Sequence, residues 1–157
     1  MVQLELRWHG HACFALKCKE FTVVFDPYED NYVRGFGALD VAADLVLCSG
    51  GMSVDPDDRT PLAIKNTGAD IVTYGAPVLP GAMFLLSYYR DGERTVPIVG
   101  LPGCVMYAKR TIFDLVLPRL MADDPVTAEE LAGLGEGGLC LNCPVCTFPN
   151  CGFGKGV

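Results

Sequence analysis

The sequence predicts an α/β protein, with a layered, mostly parallel sheet that follows an antiparallel β-meander. Polar and apolar residues alternate strictly over residues 3–8, which is typical of a strand with one buried face. A continuously apolar run at 45–48 is typical of a strand buried on both faces, and residues 69–74 predict another, mainly apolar strand. Helical segments alternate with these later strands, which is the order of a layered α/β sheet.

The first strands predict the meander. After the alternating segment come two further β-rich runs, at residues 12–16 and 21–25, joined by four mostly polar residues. Asp26-Pro27 ends the third strand, because proline cannot continue the backbone ladder. Residues 29–38 have the composition of a loop.

The character of the chain changes after residue 44. The apolar strand at 45–48 runs into a glycine-rich loop, and a helix is predicted over 61–67 because Thr60-Pro61 suits a helix start and Gly68 suits its end. A strand follows at 69–74.

The remaining elements are a hairpin and two helices. Residues 82–89, which suit a strand or a helix, and residues 95–100 flank Asp91-Gly92, a hairpin signal. Apolar residues at helical spacing predict the longest helix over 103–120. Thr127 and Glu130 form a capping box for a last helix that ends near 133–138.

Composition restricts the partners. The 12 basic and 19 acidic side chains give a formal net charge of −7, which disfavours nucleic acid and anionic membrane surfaces. No apolar run approaches the ~20 residues of a membrane span, and the first residues do not resemble a signal peptide. We therefore expect a cytoplasmic protein.

The glycine-rich loop suits a phosphate. Gly50 and Gly51 let backbone N–H groups approach an anion at the start of a helix. The carboxylates of Asp55, Asp57 and Asp58 would repel that anion unless a hard cation such as Mg²⁺ lay between them. The alternative is a solvated acidic loop with a tight turn.

A second turn repeats this arrangement. Gly100-Leu101-Pro102-Gly103 also joins an apolar strand to a predicted helix, and ligands of open α/β sheets bind at the carboxyl ends of strands. The turn is therefore a second candidate contact for a ligand, or else a rigid turn that positions the helix.

Residues 44–157 resemble the molybdopterin-binding domain of molybdenum-cofactor biosynthesis proteins. The resemblance lies in DLVLCSGGMSVDPDD, GADIVTYGAPVLPGAMF and VPIVGLPGCVMYAKRTIFDLVLPRL. It implies that molybdopterin, or its adenylylated form, contacts Gly50, Gly51 and Ser53 through its phosphate. Asp58 (or Asp55) would hold the acidic, Mg²⁺-linked and catalytic position, and Gly100, Pro102 and Gly103 would form the second ligand-contacting turn.

One departure from this family concerns activity. Cys104-Val105 stands where the adenylating and molybdate-inserting members have Asn-Pro. We therefore expect the protein to bind a pterin in cofactor biosynthesis or delivery. An adenylyl- or molybdenum-transferase activity is the less favoured expectation.

Residues 1–48 resemble the opening strands of metallo-β-lactamase-fold, metal-dependent hydrolases. The resemblance lies in WHGHACFALKCKEFTVVFDPY and ADLVLCS. The family's next loop, His-x-His-x-Asp-His, is absent, and His9 and His11 are the only histidines. These two residues suit either a pair of metal ligands or half-exposed positions at a strand end. A metal-dependent hydrolase is therefore an alternative, and we expect such a hydrolase to be inactive because the loop is absent.

The two resemblances predict a hybrid chain. We expect a β-meander over 1–43, an incomplete molybdopterin-binding domain over 44–138 and a cysteine-rich tail over 139–157. An incomplete sheet favours exchange between copies, and hence a homo-oligomer.

The tail carries the remaining chemical signal. Cys140, Cys143, Cys146 and Cys151 lie within twelve residues, a spacing that suits an iron–sulfur cluster or Zn²⁺. The alternatives are disulfides, and a small redox module is a further candidate function. The other four cysteines, Cys13, Cys18, Cys48 and Cys104, lie in or beside apolar segments and are expected to be buried thiols.

Overall fold

Seven strands form one mixed sheet in a computed structural model, which describes residues 3–10, 12–27, 42–52 and 55–155. The strands are β1 Leu4–Gly10, β2 Cys13–Cys18, β3 Phe21–Phe25, β4 Leu45–Ser49, β5 Asp70–Tyr74, β6 Leu85–Asp91 and β7 Arg94–Leu101. The helices are α1 Thr60–Asn66, α2 Ile112–Met121 and α3 Ala128–Gly133. Two 3-10 turns, Gly103–Met106 and Leu134–Gly137, complete the described elements.

The strand order is β1-β2-β3-β4-β7-β6-β5, and the pairing is parallel at the centre. Strand β4 lies parallel to β3 on one side and to β7 on the other, with Val24 opposite Val46 and Cys48 opposite Gly100. The outer pairs are antiparallel. The predicted α/β class and the N-terminal meander are therefore confirmed, and the meander continues the same sheet.

Helices cover both faces of this sheet. Along β4, Leu45 and Leu47 face a large core that contains Ile112 of α2 and Leu131 of α3. The alternate side chain of Val46 faces a smaller core around Ile64 of α1. Strands buried on both faces read as continuous apolar runs, which is why β4 lacks alternation.

The predicted helix over 103–120 is wrong at its start. The chain forms a 3-10 turn at Gly103–Met106 and begins α2 only at Ile112. Thr111 caps α2, because its hydroxyl accepts from the Phe113 N–H at 3.2 Å while Asp114 accepts from the Thr111 N–H at 2.8 Å. This capping box satisfies free N–H groups locally and fixes the helix start nine residues after Gly103.

The ambiguous run at 82–89 forms a strand. Strand β6 pairs with β7 around a two-residue turn in which Gly92 has a φ of +62°. Ser87 is fully buried and donates to the carbonyl of Ile98 at 3.0 Å, so the polar residue within the apolar run is satisfied. The predicted hairpin is confirmed.

The last helix and the tail pack on the large core. The capping box of Thr127 and Glu130 is present at the start of α3, as predicted. In the tail, Phe153 is buried and its ring meets Phe148 edge to face at 6.2 Å. Among the described residues, no helix is both long and apolar enough to cross a membrane.

Candidate functional site

The three parallel strands end at one edge of the sheet. Asp26 follows β3, Gly50 follows β4 and Pro102 follows β7. Because Ser49 lies opposite Leu101 in the β4–β7 ladder, the glycine-rich loop and the Gly-Leu-Pro-Gly turn leave the sheet side by side. The prediction that both loops lie at the carboxyl ends of neighbouring strands is confirmed.

Asp26 is a residue of this edge that the sequence analysis did not select. Its carboxylate accepts from the Ser49 N–H at 2.5 Å and from the Ser49 hydroxyl at 2.6 Å. Its own N–H donates to the carbonyl of Leu47 at 2.8 Å. The sequence did contain a signal for Asp26, because Asp-Pro ends a strand and α/β sheets bind ligands at the carboxyl ends of their strands.

The Asp26 charge also acts on a neighbouring thiol. Burial, and secondly the Asp26 carboxylate, raise the pKa of Cys48 to about 11. Cys48 therefore stays a neutral thiol at physiological pH and is a poor nucleophile.

The two glycines of the glycine-rich loop differ in the space around them. Gly50 has a φ of +78°, and a Cβ atom there would meet nothing within 4 Å. Gly51 has a φ of +61°, and a Cβ atom there would lie 2.5 Å from the Thr60 hydroxyl. Gly51 thus lets the loop pass close to α1, while Gly50 leaves its backbone accessible. Ser53 lies outside the described residues.

Met52 connects this loop to the second turn. Its side chain is buried, and a Cβ atom at Gly100 would lie 2.5 Å from its sulfur. Its carbonyl accepts from the Tyr74 hydroxyl at 3.3 Å. Gly100 is therefore buried, and its missing side chain leaves the space that the Met52 side chain fills. Gly100 is not among the residues that line the cleft described below.

The acidic loop folds back on itself. Asp55 accepts from the Asp57 N–H through its side chain at 3.0 Å and from the Asp58 N–H through its carbonyl at 2.9 Å. Asp55 and Asp57 are exposed and Asp58 is half-buried. None of these three residues is among those that line the cleft described next.

An open cleft of about 640 Å³ adjoins both loops. Met52 of the glycine-rich loop lines it, and so do Pro102, Gly103 and Cys104. Tyr107, which is 81% exposed, lies at its rim. None of the described residues that line this cleft carries a charge, which suits a flat, neutral ring system more than a small anion.

A second Leu-Pro-Gly sequence forms part of the wall of this cleft. Leu79, Pro80 and Gly81 line the cleft, and the Ile112 N–H donates to the Pro80 carbonyl at 3.1 Å. Residue 79 is paired with the tail, since the Cys140 N–H donates to the Leu79 carbonyl at 2.8 Å. Both α2 and the tail therefore hold this wall, which sequence reasoning did not assign to the site.

The four tail cysteines line one smaller cavity. Cys140, Cys143, Cys146 and Cys151 all border a space of about 100 Å³. Cys140 also lines the larger cleft, so the two spaces share a wall. Among residues 3–10, 12–27, 42–52 and 55–155, however, no three His, Cys, Asp or Glu side chains are arranged to hold a metal ion.

Of the other predicted cysteines, only Cys13 is buried, and Cys18, Cys48 and Cys104 are half-buried. The expectation that all four are buried thiols is therefore wrong for three of them. His9 is half-buried, and His11 lies outside the described residues.

A second large cavity lies at the opposite edge of the sheet. It encloses about 590 Å³ at the amino ends of β3, β4 and β7, and Asp44, Tyr88, Arg94 and Met121 border it. Ligands of open α/β sheets bind at the carboxyl ends of strands. We therefore take the cleft beside Pro102 and Gly103 as the candidate site.

Comparison with known proteins gives two matches. A family model described as a probable molybdopterin binding domain matches residues 15–122. The match starts within β2, earlier than the resemblance at 44–157, and ends with α2, before the cysteine-rich tail. A UPF0173 metal-dependent hydrolase of Thermoplasma acidophilum is 38% identical over 104 residues, which are 66% of this chain. The matched part spans 42% of that relative's length.

Proposed function

Because the chain belongs to the family of molybdopterin-binding domains of molybdenum-cofactor biosynthesis, we propose that its cleft binds molybdopterin or the adenylylated form. The observation that carries the proposal is the parallel pairing of β4 and β7, which brings the glycine-rich loop and the Gly-Leu-Pro-Gly turn to one cleft. The pterin ring occupies the cleft, and the phosphate lies against Gly50 and Gly51.

The lining of the cleft supports the place of the ring. A pterin is a flat heterocycle with polar edges, and it needs apolar faces above and below together with backbone groups at its rim. Met83 and Leu79 supply apolar surface, and the exposed ring of Tyr107 is free to stack on the ligand. Stacking on a tyrosine costs little conformational entropy, since the side chain has only two rotatable angles.

The glycine-rich loop supports the place of the phosphate. A side chain at Gly50 would point into open space, so a phosphate oxygen can approach that backbone closely. The protein carries a net charge of −7, and Asp58 follows the loop. In our proposal Asp58 holds Mg²⁺, which offsets the repulsion between the carboxylate and the phosphate.

We propose binding and delivery of the cofactor in preference to group transfer. Cys104 lines the cleft directly after the Pro102-Gly103 turn, and burial raises the pKa of its thiol. A neutral thiol offers neither a strong acceptor for Mg²⁺ nor a general base at neutral pH. Any transferase activity would have to depend on Asp58.

Tyr107 and Met106 provide a matched test of the cleft. Both side chains are 81% exposed, but only Tyr107 lines the cleft. We expect Tyr107→Ala to weaken molybdopterin binding by about tenfold, the effect of one lost stacking contact. The Met106→Ala control should bind like the wild type. Equal affinities of all three proteins in anaerobic fluorescence titration would contradict the proposed ring position.

A second matched pair tests the Mg²⁺ proposal. We expect the Asp58→Asn variant to lose the increase in molybdopterin affinity that Mg²⁺ gives the wild type. The exposed Asp57 serves as control, because Asp57→Asn makes the same chemical change one residue away. If Mg²⁺ does not affect the wild type, or if both variants respond normally, Asp58 does not hold the ion.

The tail cysteines support a second, separate proposal. We propose that Cys140, Cys143, Cys146 and Cys151 bind Zn²⁺ or an iron–sulfur cluster, since all four border one small cavity. Lys109 donates to the Cys143 carbonyl at 3.0 Å and so ties this segment of the tail to the residues before α2. The present side-chain arrangement does not by itself form a metal site, so the ligands would have to close around the metal.

Elemental analysis of anaerobically purified protein tests this proposal. We expect zinc or iron in the wild type and its loss in Cys143→Ser with Cys146→Ser, two exposed positions. Cys18→Ser, on β2, is the control and should retain the metal. Absence of both elements from the wild type would remove the proposal, and with it the redox-module alternative.

The N-terminal strands support a proposal about origin. We propose that residues 1–43 derive from a metallo-β-lactamase-like hydrolase, that residues 44–138 form the pterin-binding part, and that residues 139–157 form the tail. The similarity to a metal-dependent hydrolase supports the relationship of the N-terminal strands, and with 104 matched residues it also extends beyond residue 43. Since His9 and His11 are the only histidines, we expect no phosphodiesterase or lactonase activity with added Zn²⁺ or Mn²⁺. Metal-dependent turnover that His9→Ala abolishes would instead favour the hydrolase function.

A further inference from the structure

Strand β1 is an exposed edge of the sheet. It is the last strand in the order and pairs only with β2 among the described strands. Leu4 is 62% exposed and Leu6 is 65% exposed, and both lie on one face of the strand. The buried face predicted from the alternation over residues 3–8 is therefore wrong, because no described element covers Leu4 or Leu6. Exposed, apolar edge strands pair readily with other strands, and proteins normally protect them.

The charged face of β1 is exposed as well. The side chain of Glu5 is 55% exposed and that of Arg7 is 67% exposed, and they form an ion pair within the strand at 3.0 Å. Leucine and charged residues alternate without interruption from Leu4 to Arg7. The ladder with β2 stays regular from Leu4 to Trp8, so this part of the strand contains no bulge.

This pattern is complementary to itself. If two copies of β1 pair antiparallel with their Leu6 residues opposite each other, Glu5 of each copy lies opposite Arg7 of the other. Residues directly opposite in an antiparallel pair lie on the same face. All the leucines then lie on one face of the joined sheet, and two opposite-charge pairs lie on the other.

We propose that the protein forms a symmetric dimer through antiparallel pairing of β1 with β1 of a second copy. The pairing satisfies the outward backbone groups of both edges and joins the two sheets. Each copy uses the same patch, so the interface closes after two copies. The other edge strand, β5, carries Asp70 and Tyr74 and lacks the Glu-x-Arg pattern, so it does not compete for β1.

Charge reversal on β1 tests the register. Glu5→Arg places arginines opposite arginines at two symmetric positions, and Arg7→Glu places glutamates opposite glutamates. We expect each variant to weaken the dimer at least about tenfold. The double variant, Glu5→Arg with Arg7→Glu, restores opposite charges and should dimerise like the wild type.

Mixing provides a sharper test. The two single variants, each a weakened dimer alone, should form a tighter heterodimer when combined, because every Arg–Glu contact is then restored. The exposed Glu20→Arg, in the turn between β2 and β3, is a control with the same change of net charge and should stay dimeric. Sedimentation velocity over a concentration series distinguishes the 16.9 kDa chain from a species of twice that mass.

Three results would overturn the proposal. A wild type that stays monomeric across the series excludes the dimer. A dimer that neither single variant weakens uses another surface. A species that grows steadily with concentration shows an open assembly in place of a closed pair.

Discussion

The contact between Asp26 and Ser49 ties the ends of two central strands together, and its loss has a calculable effect. In Asp26→Asn one side-chain oxygen becomes an NH₂ group, so either the N–H or the hydroxyl of Ser49 loses its acceptor. A hydrogen bond to a charged group contributes about 1.5–3 kcal/mol. Because Asp26 is half-exposed, water replaces part of this, and we expect a loss of about 1–2 kcal/mol.

Urea unfolding measures this loss. For a chain of this length, the expected change lowers Tm by about 2–8 °C, and the urea midpoint should fall without a change in slope. Asp57→Asn, an exposed control with the same chemistry, should change stability by less than about 0.5 kcal/mol. If Asp26→Asn is as stable as the control, the carboxylate does not hold the loop, and the proposed geometry of this edge is wrong.

The thiol of Cys48 gives an independent measurement on the same variant. Its raised pKa results first from burial and secondly from Asp26. Asp26→Asn should therefore lower the pKa of Cys48, but not to the ordinary value of 9.0. The rate of alkylation at Cys48 as a function of pH, followed by peptide mass spectrometry, determines it. An unchanged pKa would show that the carboxylate lies farther from the thiol.

Three further predictions concern the stability of the core and of the helix ends. Ile112→Ala should cost about 2–5 kcal/mol in urea unfolding because the side chain is fully buried, and a loss below about 1 kcal/mol would contradict its place in the core. Thr127→Ala should cost about 1 kcal/mol through loss of the helix cap, whereas Thr127→Ser should restore it. A hydrogen bond from Arg119 lowers the pKa of Asp124, and the Thr127 N–H together with Arg119 lowers the pKa of Glu130. These ionised carboxylates therefore stabilise the folded protein above their ordinary pKa values of 3.8 and 4.5, and that stabilisation is lost as pH falls through the lowered values. Arg119→Met should flatten this acid-induced loss of stability in pH-dependent unfolding, and an unchanged slope would show that Arg119 is not the partner.

Local patterns predicted most strands well. Residues 21–25 form β3 as expected, because β-branched and aromatic residues end there at Asp26-Pro27. The predicted start of the helix over 103–120 was wrong because apolar residues recur at helical spacing on both sides of Thr111. The capping box at Thr111 fixes the true start at Ile112. Periodicity reports a buried face, but only hydrogen bonding at the ends determines where a helix begins.

Only those parts of the candidate site that depend on residues close together in the sequence could be predicted. The two glycine turns were visible because each follows an apolar strand, and their meeting follows from parallel pairing. Contacts across long separations were not visible, such as Asp26 with Ser49 or the tail with Leu79. The wall formed by residues 79–81 was missed because its role depends on α2 and on residues 138–140, which only the folded chain brings close.

Methionine-methyl NMR tests the central claim most directly, because methionines mark both large cavities. Met52 and Met83 line the cleft beside the glycine turns, whereas Met121 lines the cavity at the opposite edge of the sheet. On anaerobic titration with molybdopterin, we predict saturable shifts of the Met52 and Met83 methyl signals and none at Met121. Shifts at Met121 alone, or at none of the three, would contradict pterin binding in the proposed cleft.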